Sequence, residues 1–409
     1  MPINLARRNL LLYLMQYGVR FLSPVLVAPY LAKTLGPSGF ADYVLWNSTV
    51  WTAVLLMEFG FYIFAINITA RAETPEQLSR AVSSILSAKL LLAPLAITCF
   101  LLGTYALGLA GRQPLAVAAG AIAVFFYGMT FGWYFQGLQR GVVAVLLEAV
   151  PQFIQLVLVL FLIQSSDQMW LVAVLQTSAG ASTTLAGWIL LRRNYLKLSL
   201  RWAGAVEAIR DAFPYFIERA SYAIYATATP ILISVLSNPH QTAFYGLAEK
   251  VNIVLTALVP AATSALSPVV ARRVQGTSPD WSLSIKIVSC ITAATFAGSI
   301  VMGLAIGPII ERFLGPEFRG AIPVAQCFCV VATLMAFQLS VSNFIILQAG
   351  RASLLIRTSF VALLVTLGAQ IVLVPTYGAL GSAVARACAE LAIGLMLGVT
   401  ALRVLRSKN

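Results

Sequence analysis

The sequence has few charged side chains, a single histidine and five scattered cysteines. Only 10% of its 409 residues are charged, whereas an ordinary soluble domain is about 25% charged. His240 stands alone, and no two cysteines form a CxxC pair, so a histidine-based metal cluster, a zinc site and a disulfide framework are not expected. These absences exclude a water-soluble domain and predict that the chain holds no metal and no resident cofactor.

A nucleotide-binding motif and a catalytic domain are also missing from the sequence. There is no GxxxxGK[ST] loop to hold ATP phosphates, which argues against direct ATP hydrolysis by this chain. The polar connectors are too short to fold into a catalytic domain. The sequence therefore favours a transporter over an enzyme, while a membrane enzyme or an assembly scaffold stays open as an alternative of another class.

Long apolar runs dominate what is present. Of all residues 60% are hydrophobic, and the runs are about as long as the roughly 20 helical residues that cross a bilayer. They are too long and too evenly apolar for the strands of a membrane barrel, so the predicted fold is all-α, a polytopic membrane protein. We predict about twelve transmembrane helices, at residues 10–33, 42–65, 83–108, 115–137, 143–164, 169–191, 213–236, 242–268, 285–307, 322–347, 353–375 and 378–402.

The distribution of basic residues indicates the orientation. Lys and Arg outnumber Asp and Glu by 27 to 14, and most of the basic residues outside the runs fall on the side that also carries the N-terminus. Basic residues are retained on the cytoplasmic side of a membrane. Both termini are therefore predicted to be cytoplasmic.

The longest polar connector lies at the midpoint of the chain and suggests two halves. We expect an N-terminal six-helix lobe at 1–191, a cytoplasmic linker at 192–212 and a C-terminal six-helix lobe at 213–409. The linker is either a solvated segment or an interfacial helix. A weak internal sequence similarity supports a duplication. Pro37, Ala41 and Tyr43 after the first helix recur with the same spacing as Pro239, Ala243 and Tyr245 after the seventh.

Four basic residues lie deep inside predicted spans: Arg20, Arg219, Lys250 and Arg386. An ionised side chain in hydrocarbon costs about 2.5–3.5 kcal/mol, so each should face a partner or a hydrated cavity. Polar and aromatic residues share a helical face with two of them and are candidate cavity residues: Gln16 and Tyr17 with Arg20, and Tyr222 and Tyr225 with Arg219.

Acidic residues in the spans leave two interpretations open. Glu58, Glu148 and Glu249 are candidates for coupling to H⁺ or Na⁺, because a carboxylate in a low-dielectric site can take up a proton or bind a cation. They can equally be structural partners of the buried cations. Arg386 and Glu390 are spaced to form such an ion pair on one helix.

Several segments taken together resemble a known family over nearly the whole chain: the Arg20-bearing helix followed by residues 30–43 (YLAKTLGPSGFADY), then 58–60 (EFG), 132–139 (GWYFQGLQ) and 245–250 (YGLAEK). In order and spacing they resemble the Wzx-type polysaccharide flippases of the multidrug/oligosaccharidyl-lipid/polysaccharide exporter superfamily. The resemblance marks membership of the family better than it marks the residues that contact substrate.

This resemblance implies two six-helix lobes around a central cavity. We expect Arg20, Arg219 and Lys250 to line this cavity and bind the anionic substrate, with Arg386 behind them. It implies that the chain moves a polyprenyl-diphosphate-linked oligosaccharide from the inner to the outer leaflet of the bacterial inner membrane by alternating access, for surface polysaccharide biosynthesis. The partners implied are this lipid-linked glycan, membrane lipids, and a polysaccharide polymerase with its chain-length machinery, with no nucleic acid. The glycan stays undetermined among O-antigen, capsule and exopolysaccharide, and a cation-coupled drug or metabolite antiporter of the same superfamily is the rival function.

Overall fold

The computed structural model describes the backbone of residues 3–193, 198–274 and 280–406. It does not describe the side chains up to residue 24, nor those of 218, 221–226, 258, 261, 264, 265, 268, 352 and 356. Every regular element in the described ranges is helical. The all-α prediction is therefore confirmed.

The first half of the chain contains ten helices in the described residues: α1 (Ile3–Glu58), α2 (Phe61–Arg71), α3 (Pro75–Ala106), α4 (Leu109–Arg112), α5 (Pro114–Gly128), α6 (Gly132–Gly137), α7 (Gly141–Leu162), α8 (Met169–Arg192), α9 (Trp202–Thr227) and α10 (Thr229–Leu236). The second half contains α11 (Pro239–Thr256), α12 (Leu258–Val274), α13 (Ser282–Phe313), a 3₁₀ turn (Pro316–Phe318), α14 (Ala321–Val341), a π-helical turn (Ser342–Ile346) and α15 (Ala352–Arg406).

Seven of the described helical segments are long and apolar enough to cross a membrane. Two helices are long enough for two crossings each, because 55 residues extend for about 80 Å. Both contain a glycine with positive φ, Gly36 in α1 and Gly378 in α15, where the helical geometry is interrupted. Divided there, and with short helices joined across their breaks, the described helices follow the twelve predicted spans.

The chain divides into two compact units, Met1–Ile231 (unit 1) and Leu232–Asn409 (unit 2). In unit 1, α9 packs against α1, α2 and α3, and α5 packs against α8. In unit 2, α14 is central and packs against α11, α13 and α15. The lobe limits at 191 and 213, and the location of the 192–212 linker on the cytoplasmic side, stay predictions; residues 202–212 are helical and continuous with the rest of α9.

The hairpin made by α15 depends on a glycine. Gly378 has φ 56° and ψ −130°, a conformation that a side chain disfavours. The Oε1 atom of Gln241 accepts a hydrogen bond from the Ala379 amide at 3.0 Å, and it would lie 2.6 Å from a Cβ on Gly378. The break thus turns the chain within unit 2 and is held by α11.

Candidate functional site

A break between α1 and α2 creates the centre of the candidate site. Phe59 and Gly60 both have positive φ, 41° and 73°, and α1 ends at Glu58. A Cβ on Gly60 would lie 2.5 Å from the Phe216 amide nitrogen and 2.8 Å from the Tyr215 carbonyl carbon. Glycine therefore permits the backbone of α9 to approach the break directly, and the ring of Phe59 stacks on that of Phe216 with centroids 4.3 Å apart.

This approach joins two of the sequence-predicted residues. Arg219 Nη2 on α9 lies 2.8 Å from Glu58 Oε2 at the end of α1. The Glu58 side chain is only 13% exposed, whereas that of Arg219 keeps 39% of its surface exposed. The guanidinium also lies over the Tyr62 ring, 5.8 Å from the centroid, within cation–π range. Glu58 was predicted either to pair with an arginine or to couple an ion. The structure shows the ion pair with Arg219, and ion coupling stays a prediction.

Lys89 on α3 is a buried cation that the sequence reasoning missed. Its side chain is 1% exposed, and Nζ donates a hydrogen bond to the Gly128 carbonyl oxygen at 2.7 Å. Gly128 ends α5, where the last carbonyls have no partner within the helix and carry partial negative charge. Among the described side chains, no carboxylate oxygen lies within 4.0 Å of this ammonium group. Lys89 therefore acts first as a cap of α5.

A second carboxylate, Glu148 of α7, lies with Tyr62 beside Gly132 of α6. A Cβ on Gly132 would be 2.8 Å from Glu148 Oε1 and 3.9 Å from the Tyr62 ring, so Gly132 leaves room for both. Gln136, on the same short helix α6, donates a hydrogen bond to the Tyr62 hydroxyl. We call Glu58, Tyr62, Lys89, Glu148 and Arg219 the unit 1 cluster.

The two cations predicted in unit 2 are each close to a carboxylate. Arg386 Nε donates to Glu390 Oε1 at 2.8 Å, and the two side chains are 7% and 1% exposed. Gln338 donates to the other oxygen of Glu390 at 2.6 Å. The predicted pairing within one helix is therefore confirmed, and substrate contact by Arg386 stays a prediction.

Lys250 and Glu249 are neighbours in α11. Lys250 Nζ lies 3.3 Å from Glu249 Oε2, and about a quarter of each side chain is exposed. A pair this accessible is weakly held, so both groups remain available to a ligand or an ion. Their predicted roles, substrate binding for the lysine and ion coupling for the glutamate, stay predictions.

Five of the predicted cavity residues lie outside the side chains that the structure describes: Arg20, Gln16, Tyr17, Tyr222 and Tyr225. Their predicted roles stay predictions. In the part of the chain that is described, no group of three or more His, Cys, Asp or Glu residues is arranged to hold a metal ion.

The unit 1 cluster combines two cations, Arg219 and Lys89, with two carboxylates, and its exposed guanidinium has the chemistry of an anion site. A guanidinium has five N–H donors in a planar fork that matches phosphate oxygens. Arg219 contacts Glu58 through Nη2, and part of its side chain stays exposed. Lys89 adds a second, buried cation to the same unit. A phosphate group approaching the exposed side of Arg219 would meet unused donors without having to break the packing of Lys89.

Comparison with known proteins adds sequence relatives. The chain is 23% identical over 397 residues to a protein of Shigella dysenteriae, covering 96% of this chain and 98% of that protein. It is 22% identical to a protein of Escherichia coli (strain K12), covering 90% of this chain and 93% of that protein. Both bear the name "Putative O-antigen transporter".

Solved structures with the same fold are membrane transporters. An inward-facing multidrug resistance MATE family transporter of the MOP superfamily aligns with a TM-score of 0.71 at 15% identity, covering 95% of this chain and 96% of its own. The lipid II flippase MurJ, in an inward closed conformation, aligns with a TM-score of 0.69 at 11% identity, covering 95% and 86%. These likenesses establish the polytopic membrane fold. A family model described as "Polysaccharide biosynthesis protein" matches residues 6–274, more than half of the chain, which therefore belongs to the polysaccharide biosynthesis protein family.

Proposed function

We propose that this chain is a flippase that moves a polyprenyl-diphosphate-linked oligosaccharide from the inner to the outer leaflet of the bacterial inner membrane. The observation that carries the proposal is the unit 1 cluster, in which Lys89 places a buried cation within the apolar helix α3 and Arg219 of α9 pairs with Glu58 at the end of α1. Membership of a polysaccharide biosynthesis family and the names of the two relatives support a glycan-linked substrate.

The substrate's chemistry explains why such cations are needed. A diphosphate is anionic and an oligosaccharide is polar, so both must leave water to cross the hydrocarbon layer, whereas the polyprenyl tail can stay in it. Arginine compensates the lost hydration of phosphate through paired, charge-assisted hydrogen bonds. We assign the diphosphate contact to Arg219, with Arg20, Lys250 and Arg386 as the further cations along the path.

The rival function, a cation-coupled drug antiporter, receives less support from these groups. A cationic substrate would favour acidic residues facing the path, whereas Glu58 is shielded and already paired with an arginine. The MATE likeness is one of fold at 15% identity. A glycan-linked anion is the better match to the half-exposed guanidinium of Arg219.

The pair between Glu58 and Arg219 also offers a route for ion coupling. While Glu58 is ionised it contacts Nη2 of the guanidinium, and a proton or Na⁺ on the carboxylate would weaken that contact and free the nitrogen for the diphosphate. Occupancy of Glu58 by an ion would in this way change the affinity of Arg219 for the diphosphate, which is the linkage that ion coupling requires. Glu148 and Glu249 are the other candidates for the coupling group.

The remaining parts of the proposal concern orientation and partners. Both termini are cytoplasmic, since the basic residues outside the spans fall predominantly on their side. The flipped glycan is handed to a polysaccharide polymerase and its chain-length machinery at the outer face. The glycan is assigned by chemical class alone.

A flipping assay in proteoliposomes tests the proposal. The purified chain is reconstituted with a polyprenyl-diphosphate-linked oligosaccharide, and a glycosidase added outside measures the fraction of glycan that becomes accessible. We expect the protected half of the glycan to become accessible with the wild-type chain and with Arg210→Gln. Arg210 is the matched control, because it lies on α9 with a 78% exposed side chain. Arg219→Gln should flip slowly.

Two results would contradict the proposal. Wild-type proteoliposomes in which the protected glycan stays as inaccessible as in protein-free liposomes would contradict the flippase function itself. Arg219→Gln flipping at the rate of Arg210→Gln would contradict the assignment of Arg219 to the diphosphate.

A further inference from the structure

A cavity in unit 2 is lined by three arginines that belong to neither the unit 1 cluster nor the Arg386 pair. It has a volume of about 250 Å³, and six residues line it: Arg351, Ser353, Leu354, Arg357, Thr400 and Arg403. The cavity lies where the two arms of the α15 hairpin meet at their open end. Four of its residues come from the start of the hairpin and two from its last turns.

The hairpin geometry explains why these residues meet. The helix is interrupted at Gly378, and residues from both ends of α15 line one cavity, so the chain reverses at this break. Arg357 and Thr400 are almost equally far from Gly378 along the sequence, 21 and 22 residues. Two antiparallel arms of equal length bring these positions side by side. At 1.5 Å per residue each arm covers about 32 Å, which matches the roughly 30 Å hydrocarbon thickness of a bilayer. With Gly378 at one surface, the cavity lies at the other, at the depth of the lipid phosphates.

The charges around the cavity are of one sign. The residues at 351, 357 and 403 are exposed, and among the described side chains no carboxylate oxygen lies within 4.0 Å of any of the three guanidinium groups. Three like charges around one small space repel each other, and an anion placed between them relieves that repulsion. Ser353 adds a hydroxyl donor, whereas the Thr400 hydroxyl already donates to the Met396 carbonyl at 2.9 Å.

The start of α15 strengthens the same preference. The helix begins at Ala352, so its first turn, which includes Ser353, has backbone N–H groups without a partner inside the helix. These groups carry partial positive charge and favour an anion. The arginine guanidinium groups, the Ser353 hydroxyl and the amides of this first turn are donors of the kind that bind phosphate oxygens.

We propose that this cavity binds the phosphate group of an anionic phospholipid of the surrounding leaflet. Basic pockets at the ends of transmembrane helices are suited to such headgroups, because the acyl chains stay in the bilayer while the phosphate reaches the arginines. A lipid phosphate is held at this depth by its own tails, whereas inorganic phosphate would have to bind from solution. The inference goes beyond the flipping function, since the bound lipid is a resident of the membrane and is not transported.

Native mass spectrometry of the purified full-length chain tests this site, with cardiolipin, phosphatidylglycerol and phosphatidylethanolamine as probes in detergent. We expect cardiolipin and phosphatidylglycerol to bind more tightly than zwitterionic phosphatidylethanolamine. Each arginine that contacts the bound lipid phosphate should contribute about fivefold in affinity. Arg357→Gln should therefore weaken cardiolipin binding about fivefold, and Arg357→Gln with Arg403→Gln about 25-fold.

Matched variants distinguish lipid binding in the cavity from lipid binding by general surface charge. Arg406→Gln removes an exposed arginine three residues beyond Arg403 that does not line the cavity, and it should change the affinity less than twofold. Replacing Arg357 and Arg403 with lysine keeps the charge and should restore most of the binding. Equal cardiolipin affinity in the double glutamine variant and in Arg406→Gln would overturn the proposal.

A competition arm distinguishes the two sources of phosphate. A large molar excess of inorganic phosphate should displace cardiolipin only weakly, because it lacks the acyl chains. If inorganic phosphate binds the wild-type chain in the absence of lipid, and the double glutamine variant abolishes that binding, the cavity is a site for free phosphate and the lipid assignment is wrong. Thermal unfolding without lipid should be the same in all variants, so a loss of binding cannot be ascribed to misfolding.

Discussion

Replacing Gly60 with alanine tests how the Glu58–Arg219 pair is positioned. Gly60 has φ +73°, and its added Cβ would lie 2.5 Å from the Phe216 amide nitrogen and 2.8 Å from the Tyr215 carbonyl carbon. Both neighbours are backbone atoms of α9, which cannot rotate away as a side chain can. We expect the substitution to push α9 away from the end of α1 and to lengthen the 2.8 Å contact of the ion pair.

The magnitude has two parts that a control can separate. An L-residue in the left-handed region costs about 1–2 kcal/mol, and inserting a methyl group into a packed site costs about 1–3 kcal/mol more. Gly108 has nearly the same conformation, φ 67° and ψ 11° against 73° and 2° for Gly60. Its Cβ would meet only the Arg112 guanidinium, at 3.1 Å. Gly108→Ala therefore keeps the conformational cost and leaves out the clash.

Thermal unfolding of the two purified variants in detergent measures the difference. A change of 1 kcal/mol shifts the melting temperature of a unit of 150–250 residues by about 2–4 °C. Gly60→Ala should therefore melt about 2–12 °C below Gly108→Ala, and it should also flip more slowly in proteoliposomes. If the two variants melt at the same temperature, or if Gly60→Ala flips at the wild-type rate, the close approach of α9 does not position the site.

Three further predictions concern buried or deep cations. Arg20→Ala should abolish glycan export while the protein stays in the membrane; undiminished surface polysaccharide in that strain would count against a role in the path. Arg386→Met should destabilise the chain by about 3–5 kcal/mol because it strands the buried Glu390 charge, and adding Glu390→Gln should recover part of the melting temperature; no recovery would refute this reason. Lys89→Met should cost about 1–3 kcal/mol through the lost bond to α5, against less than about 0.5 kcal/mol for the exposed Lys33→Met, and equal melting temperatures would exclude the capping role.

Local patterns in the sequence predicted the features that depend on neighbours along the chain. The length and apolarity of the runs predicted an all-helical membrane fold, because a lipid environment leaves few other ways to satisfy the backbone. The four-residue spacing of Arg386 and Glu390 predicted their ion pair, because such positions share a helical face. Both predictions needed only one helix at a time.

Contacts between distant helices were not accessible in the same way. Glu58 and Arg219 are about 160 residues apart, and the sequence left Glu58 open between ion coupling and an arginine partner. The choice depends on the break at Phe59 and Gly60 and on the backbone approach of α9, which no periodicity encodes.

Lys89 is a different case, because its signal was present in the sequence. It lies inside the predicted span 83–108, where the rule that selected Arg20 applied equally. Its partner could not be predicted, since the expected span 115–137 was continuous. The structure instead ends α5 at Gly128 and starts α6 at Gly132, which frees the carbonyl that Lys89 binds.

The ion pair between Glu58 and α9 can form only late in synthesis, after α9 has been made. Ribosomes add on the order of 5–20 residues per second, so Arg219 emerges about 10–30 s after Glu58. During that interval the segment with Glu58 has left the ribosome, whereas the segment with Arg219 has not. The nascent N-terminal unit therefore has to keep Glu58 hydrated, shielded by the insertion machinery or protonated until its seventh span arrives.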